Sequence, residues 1–294
     1  MTFQQTLFAE DQLARIVNVA SVPLRSPFRY PGGKTWLVPH IRRWMWSKPE
    51  KPEEFIEPFA GGGIVGLTVA AEGLARHVTL AELDEEIAAV WRCILGRDAP
   101  WLAEKIISFL LTPDSLQREL RKRPRSLKEI AFRTVLKNRT YHGGIVAPGS
   151  RPLKHGENGR GIHSRWYPST LRKRIIEIAQ MRDRISFLLG DGIEVIRRCA
   201  RRSNISFFVD PPYTADGKRA GTRLYKHFEL DHERLFEVVS SVAGDFLMTY
   251  DDAERVRQLA RQYGFDTELV AMKNTHHAPM KELLIGRNLD WART

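Results

Sequence analysis

Apolar positions along this chain fall into short runs that alternate with stretches of helical period. Glu54-Phe55-Ile56 leads into a glycine cluster and then a predicted helix over 64–72. HVTLA (77–81) reads as a strand, followed by an acidic turn and a helix over 87–95. Residues 184–189 read as a strand and 192–200 as a helix. ISFFV (205–209) is a short apolar run that stops at Asp210-Pro211-Pro212. A helix over 232–242, a strand over 246–249, a helix over 253–263 and late strands near 269–272 and 283–285 complete the pattern. Strands alternating with helices of this length predict an α/β fold with a doubly wound, mostly parallel sheet. Ligands of such sheets bind outside the carboxyl ends of the strands, and the glycine and proline motifs follow such ends.

Between these regions the pattern changes. Residues 115–139 are helix-like, with Leu116, Leu120, Leu127, Ile130, Ala131 and Val135 as apolar positions. Residues 141–164 are rich in Gly, Pro, Asn and basic side chains and read as loop or ribbon. Residues 168–184 are helical again, with Leu171, Ile175, Ile178 and Ala179 inward. Charge sharpens the contrast. From Ser115 to Ile175 there are 16 Lys+Arg against 3 Asp+Glu, whereas the whole chain has a net charge of +11. A near-neutral body therefore carries one basic segment, and a polyanion, nucleic acid before membrane, is the expected partner. The expected division is a catalytic part (23–97 plus 185–294), a basic insertion (98–184) and a peripheral arm before it. Tyr141, Trp166 and Tyr167, set among the basic residues, either stack on bases or pack the insertion's own core. Two cysteines, Cys93 and Cys199, form no C-x-x-C pair and read as core residues. No signal segment or long apolar stretch is present, which predicts a cytoplasmic protein.

Three motifs carry chemistry. Glu57-Pro58-Phe59-Ala60-Gly61-Gly62-Gly63 joins a strand to a helix, where glycines permit a tight turn and a ligand's close approach. Glu82 lies 21 residues beyond Gly61 at the next strand's end, where a carboxylate can accept hydrogen bonds from both hydroxyls of a ribose. Glu85 and Glu86 follow, turned to solvent by helical period. Arg29-Tyr30-Pro31-Gly32-Gly33-Lys34-Thr35 resembles a phosphate loop but has Phe28 where the Walker pattern needs glycine. Its Lys34 ammonium would suit a carboxylate. Asp210-Pro211-Pro212-Tyr213 is the most specific. The Asp210 carboxylate and the Pro211 carbonyl can accept both N–H hydrogen bonds of an aromatic amine, drawing its delocalised lone pair toward a methyl donor. Tyr213 can stack on the base, which must first be flipped from a duplex. The basic loop 214–227, with Lys218 and Arg219, is expected to close over it. His276 and His277 lack a third ligand, so no metal is expected.

Together these segments resemble the Dam-like family of N6-adenine DNA methyltransferases. The family's order is kept: YPGGK, EPFAGGG, AELDEE, then the insertion with NRTYHGG, then FLLGDGIEVI, FFVDPPYT, HFELDHERLFEVV, FLMTYDD and MKNTHHAPMKELLIGRN, spanning Pro27 to Asn288. The resemblance implies a Rossmann-like S-adenosylmethionine-dependent methyltransferase sheet with a helical and loop DNA-recognition insertion. It implies cofactor contacts from Tyr30, Lys34, Glu57, Phe59, Gly61, Gly63, Glu82 (ribose), Asp191 (adenine amine) and Asp210. Catalysis would fall to Asp210, Pro211, Pro212 and Tyr213. DNA contacts would come from Arg133, Lys137, Asn138, Arg139, Tyr141, Arg151, Lys154, Lys218 and Arg219. The implied partner is double-stranded DNA, with a cognate restriction endonuclease as the one protein partner raised, a monomer favoured, and neither membrane nor metal. Competing readings are methylation of cytosine N4, RNA or protein glutamine, an inactive DNA-binding relative, and a nucleotide hydrolase. Ser or Asn usually precedes PPY in the N4 and glutamine enzymes. Tyr30 stands where Trp is frequent, and His142 where Asn is usual; these departures bear on the recognition sequence rather than the reaction.

Overall fold

The structure, a computed structural model, describes residues 22–29, 33–144, 146, 150–156, 159–212, 230–273 and 279–293. Seven strands form one sheet: β1 (Glu54–Glu57), β2 (His77–Glu82), β3 (Ile185–Leu189), β4 (Ile205–Val209), β5 (Asp245–Asp251), β6 (Asp266–Lys273) and β7 (Pro279–Gly286). Their order is β3-β2-β1-β4-β5-β7-β6. The first five run parallel, and β7 lies antiparallel between β5 and β6. The chain grows outward from β1 to β3 and then returns to start β4 on β1's other side. The crevice at that reversal is where an open α/β sheet binds its ligand.

Alternation along the strands divides the core in two. Phe55, Val78, Leu80, Phe208, Leu247 and Leu284 feed one cluster; Ile56, Ala81, Phe207, Val209, Met248 and Ile285 feed the other. On the second face lie α8 (Gly192–Cys199), α9 (His232–Ser240) and α10 (Glu254–Gln262). The first face is covered by α1 (Val38–Trp46), α2 (Ile64–Glu72) and α3 (Glu85–Leu95). Residues 64–70 of α2 are all buried, as its nearly unbroken apolar sequence demands. Asp84 caps α3, accepting from the Glu86 and Ile87 amides.

The insertion stacks outside this first layer. It comprises α4 (Ala99–Ser108), α5 (Pro113–Arg121), α6 (Leu127–Thr140) and α7 (Pro168–Gln180). Phe132, Val135, Leu136, Leu171 and Ile175 share one apolar cluster with Trp91 and Ile94 of α3. The single helix-like stretch expected over 115–139 is two helices. Pro124 lacks an amide proton and disfavours helix at Arg123, so the chain breaks across 122–126. The helix expected over 168–184 likewise ends at Gln180 and continues as the 3-10 turn Arg182–Arg184. Helices α1 and α4, not expected from the pattern, each have a proline in the first turn, where a missing amide proton costs nothing. Trp166 is buried and packs edge-on against Phe109, so of its two readings it takes the packing one. Cys93 is buried and Cys199 partly so. No helix among the described residues is long and apolar enough to cross a membrane.

Candidate active site

After β1 the chain turns through 58–63 into α2. Gly61 and Gly63 take left-handed φ of 46° and 60°, a conformation that favours glycine. A Cβ on Gly63 would also come within 2.8 Å of the Trp91 ring. The turn is tied on several sides. Glu82 Oε2 accepts from the Gly61 amide (2.9 Å), Trp91 Nε1 donates to the Gly61 carbonyl (3.0 Å), and Ser26 Oγ donates to the Gly62 carbonyl (2.5 Å). The other Glu82 oxygen accepts from the Leu83 and Asp84 amides. Three amides thus fix the orientation of the carboxylate at the tip of β2. Asp191, at the tip of the neighbouring β3, accepts from the Glu194 amide and caps α8. Gly192 lets this corner close on the glycine turn, since a Cβ there would meet the Pro58 carbonyl and the Phe59 ring at 2.6 and 2.7 Å.

At the tips of β1 and β4 lies a second cluster. Glu57 is buried, and its Oε2 accepts from the Gly66 amide at 2.7 Å. Burial pushes its carboxyl up to about 8, against the Gly66 hydrogen bond; Asp210 adds repulsion and Lys34 opposes it. Lys34, at the start of the 3-10 turn Lys34–Leu37, is 4% exposed. Its Nζ lies 2.9 Å from Asp210 Oδ1 and 3.0 Å from Glu282 Oε1. Burial works against this ammonium, but Asp210 and then Glu282 outweigh it and hold its pKa above the ordinary value. Thr249 Oγ1 donates to the same Asp210 oxygen at 2.8 Å. Asp210 is half-buried at the strand tip rather than lost in the core, with donors from two flanking elements on Oδ1. Pro211 is buried and Pro212 half-buried beside it. Glu282 was not foreseen; its only mark is an acidic residue before the apolar run LLI of β7. Behind the cluster, the buried Tyr250 hydroxyl meets His232 Nδ1 at 2.9 Å. Tyr30, Tyr213, Lys218 and Arg219 lie outside the described residues, as do His276 and His277. Among the described residues no group of side chains could hold a metal.

The residues expected to touch DNA divide. Arg151 and Lys154 are exposed, and Tyr141 is half-buried. Arg133 Nη2 and Lys137 Nζ lie 3.3 and 2.9 Å from Glu86. Glu86 therefore does not face solvent as its helical position suggested: α6 packs along α3 and encloses it. Asn138 is fully buried, accepting from the Arg29 amide and donating to the Arg29 and Gly144 carbonyls. Arg139 is 5% exposed and donates Nε and Nη2 to the Pro27 carbonyl. Gly144, at φ 76°, leaves only 2.3 Å between a would-be Cβ and the Arg29 carbonyl. The NRTYHGG segment, read as a recognition element, thus turns Asn138 and Arg139 inward to grip residues 27–29, because α6 has buried neighbours on more than one side.

A mixed α/β sheet of seven strands in this order, with a glycine turn and an acidic strand tip at its reversal point, is the Rossmann-like fold of S-adenosylmethionine-dependent methyltransferases. Residues 30–137 match the family model of the D12 class N6 adenine-specific DNA methyltransferase, a match that takes in YPGGK, EPFAGGG and AELDEE and ends within α6. No curated protein matches the chain. Among solved structures, the rRNA methyltransferase aviRa of Streptomyces viridochromogenes is 12% identical over 92% of this chain and 93% of that chain, with a TM-score of 0.41. A proposed RNA methyltransferase of Pyrococcus horikoshii, PH1948, is 10% identical over 97% and 98%, at 0.39. A methyltransferase of Geobacter sulfurreducens is 13% identical over 97% and 90%, at 0.37. The family match over residues 30–137 and the fold together support a methyltransferase with S-adenosylmethionine as donor. The site's chemistry fits that group: three glycines, 61–63, that leave the backbone open, an amide-oriented carboxylate suited to a ribose, and a second carboxylate one strand away.

Proposed function

We propose that the protein methylates the N6 amino group of an adenine flipped from double-stranded DNA. One observation carries the reading: Asp210 stands at the tip of β4 with Oδ1 held by Lys34 and Thr249, immediately before two prolines. A carboxylate held from behind is pre-oriented, so it loses little freedom when it accepts an N–H. The Pro211 carbonyl is not followed by an amide proton and accepts the second N–H. The nitrogen then concentrates its lone pair away from the ring, and the carboxylate stabilises the positive charge that grows on it. The surplus N6 proton leaves by way of Asp210 to water.

S-adenosylmethionine, when bound, supplies the electrophilic methyl. The turn at Gly61–Gly63 would receive it, with Glu82 on the ribose hydroxyls and Asp191 on the adenine amine. Glu57 and Phe59 flank that turn, and the family resemblance adds Tyr30 as a further cofactor contact. Lys34 acts through Asp210. Tyr213 would cover the flipped base, and Lys218 and Arg219 the phosphates beside it. The insertion, 98–184, supplies target recognition, with Arg151 and Lys154 as its exposed contacts. The test is to incubate the protein with methyl-labelled S-adenosylmethionine and duplex DNA, then digest to nucleosides. Label is expected in N6-methyldeoxyadenosine alone and is lost in Asp210→Ala. Label in cytosine, or in RNA but not duplex DNA, overturns the reading.

A further inference from the structure

Residues 26–29 join the glycine turn to the insertion. Ser26 is buried; its Oγ accepts from the Phe28 amide at 3.1 Å and donates to the Gly62 carbonyl at 2.5 Å. The Phe28 ring lies 5.7 Å from that of Trp91, whose Nε1 donates to the Gly61 carbonyl. The carbonyls of Ser26 and Pro27 and both backbone groups of Arg29 go the other way, to the insertion. Arg174 Nη1 of α7 donates to the Ser26 carbonyl at 3.0 Å. Arg139 of α6 gives Nε and Nη2 to the Pro27 carbonyl. The Asn138 amide takes up the Arg29 N–H and carbonyl at 2.8 and 2.7 Å. Thus α6 and α7 hold residues 26–29, and residues 26–29 hold the turn. Three consecutive glycines have no side chains to restrict them and lose much conformational freedom when ordered. The turn's shape therefore depends on groups that bond its backbone from outside, Glu82, Trp91 and Ser26. A site ordered before its ligand arrives is spared that cost on binding.

We propose that Ser26, Asn138, Arg139 and Arg174 are positioning residues for the methyl donor: through residues 26–29 the insertion sets the turn that receives S-adenosylmethionine. The inference rests on the reading of that turn as the donor's site and needs no nucleic acid. Each of the four acts through the backbone of residues 26–29 or of Gly62. Asn138 and Arg139, expected from the sequence at a nucleic-acid surface, thereby serve the donor's side of the reaction.

The test is S-adenosylmethionine affinity by calorimetry on the full chain without nucleic acid, together with hydrogen exchange over residues 60–64 in the ligand-free protein. Ser26→Ala removes the hydroxyl between the Phe28 amide and the Gly62 carbonyl. It should raise Kd roughly tenfold and speed exchange at the turn, and Ser26→Thr, which keeps the hydroxyl, should restore most of the affinity. Arg174→Ala, in the insertion, should raise Kd about threefold. Arg172→Ala is on the same helix, but Arg172 bonds Glu104, so this variant should bind as the wild type does. Wild-type affinity in either Ser26→Ala or Arg174→Ala overturns the proposal, whatever their melting temperatures. An equal loss in Arg172→Ala overturns it too, because any change in α7 would then suffice. If Ser26→Ala does not fold, Arg174→Ala against Arg172→Ala decides. A wild type that binds no S-adenosylmethionine overturns both this inference and the reading beneath it, whereas methyl transfer to another acceptor overturns the adenine reading alone.

Discussion

Replacing Glu57 by glutamine should make the protein more stable at neutral pH, and the gain should grow as pH rises. Glu57 is 3% exposed, and its carboxyl is pushed up to about 8. In the unfolded chain it titrates near its ordinary 4.5. Between those values the native state holds a proton that the unfolded state has lost. Stability from this group is therefore complete below about 4.5 and is lost as pH rises through about 8. The full span corresponds to about 5 kcal/mol at 1.36 kcal/mol per pH unit. Glutamine keeps the shape and the carbonyl acceptor for the Gly66 amide but does not titrate. Denaturant unfolding of both proteins at about pH 5.5 and 7.5 should show the variant's lead growing between the two by roughly 3 kcal/mol. Glu82, also held above its ordinary value, chiefly by burial, is common to both proteins and drops out of the difference. A constant difference across this range would mean that Glu57 is ionised in the native state. Lys34 would then be shared among three carboxylates, and the charge assignment at the strand tips would be wrong.

Three further outcomes follow from the same cluster and its supports. Lys34→Met strands the Asp210 and Glu282 carboxylates without their cation, which should cost about 3–5 kcal/mol and lower kcat more than it raises KM. Pairing it with Glu282→Gln should return part of the stability but not the rate, and a double-mutant cycle reads the coupling. Gly66→Ala drives a Cβ to 2.5 Å from Leu80 and 2.7 Å from Glu57; a loss of about 1–3 kcal/mol is expected by denaturant unfolding, with weaker S-adenosylmethionine binding by calorimetry. Asn138→Ala abandons three buried hydrogen bonds to Arg29 and Gly144. It should destabilise by at least about 1–3 kcal/mol, and a thermal melt matching wild type would remove its bracing role.

The sheet and its glycine turn were readable because their signals are local. β4 is buried along its whole length, so ISFFV needs no partner to declare itself. Left-handed turns write themselves as glycine at 61 and 63, and the prolines after Asp210 end a strand by chemistry internal to the chain. Glu282, Ser26 and the direction of Asn138 and Arg139 were not readable in this way. Each acts across a large separation: Ser26 reaches Gly62, 36 positions on, and Arg139 reaches Pro27, 112 positions back. A basic helix residue has the same composition whether it faces a phosphate or a buried carbonyl. Period alone gives α6 one apolar stripe, yet α3 and residues 27–29 enclose it from separate directions. Which way a charge points was settled only when those surfaces met, since burying it required a partner that no neighbouring residue could supply.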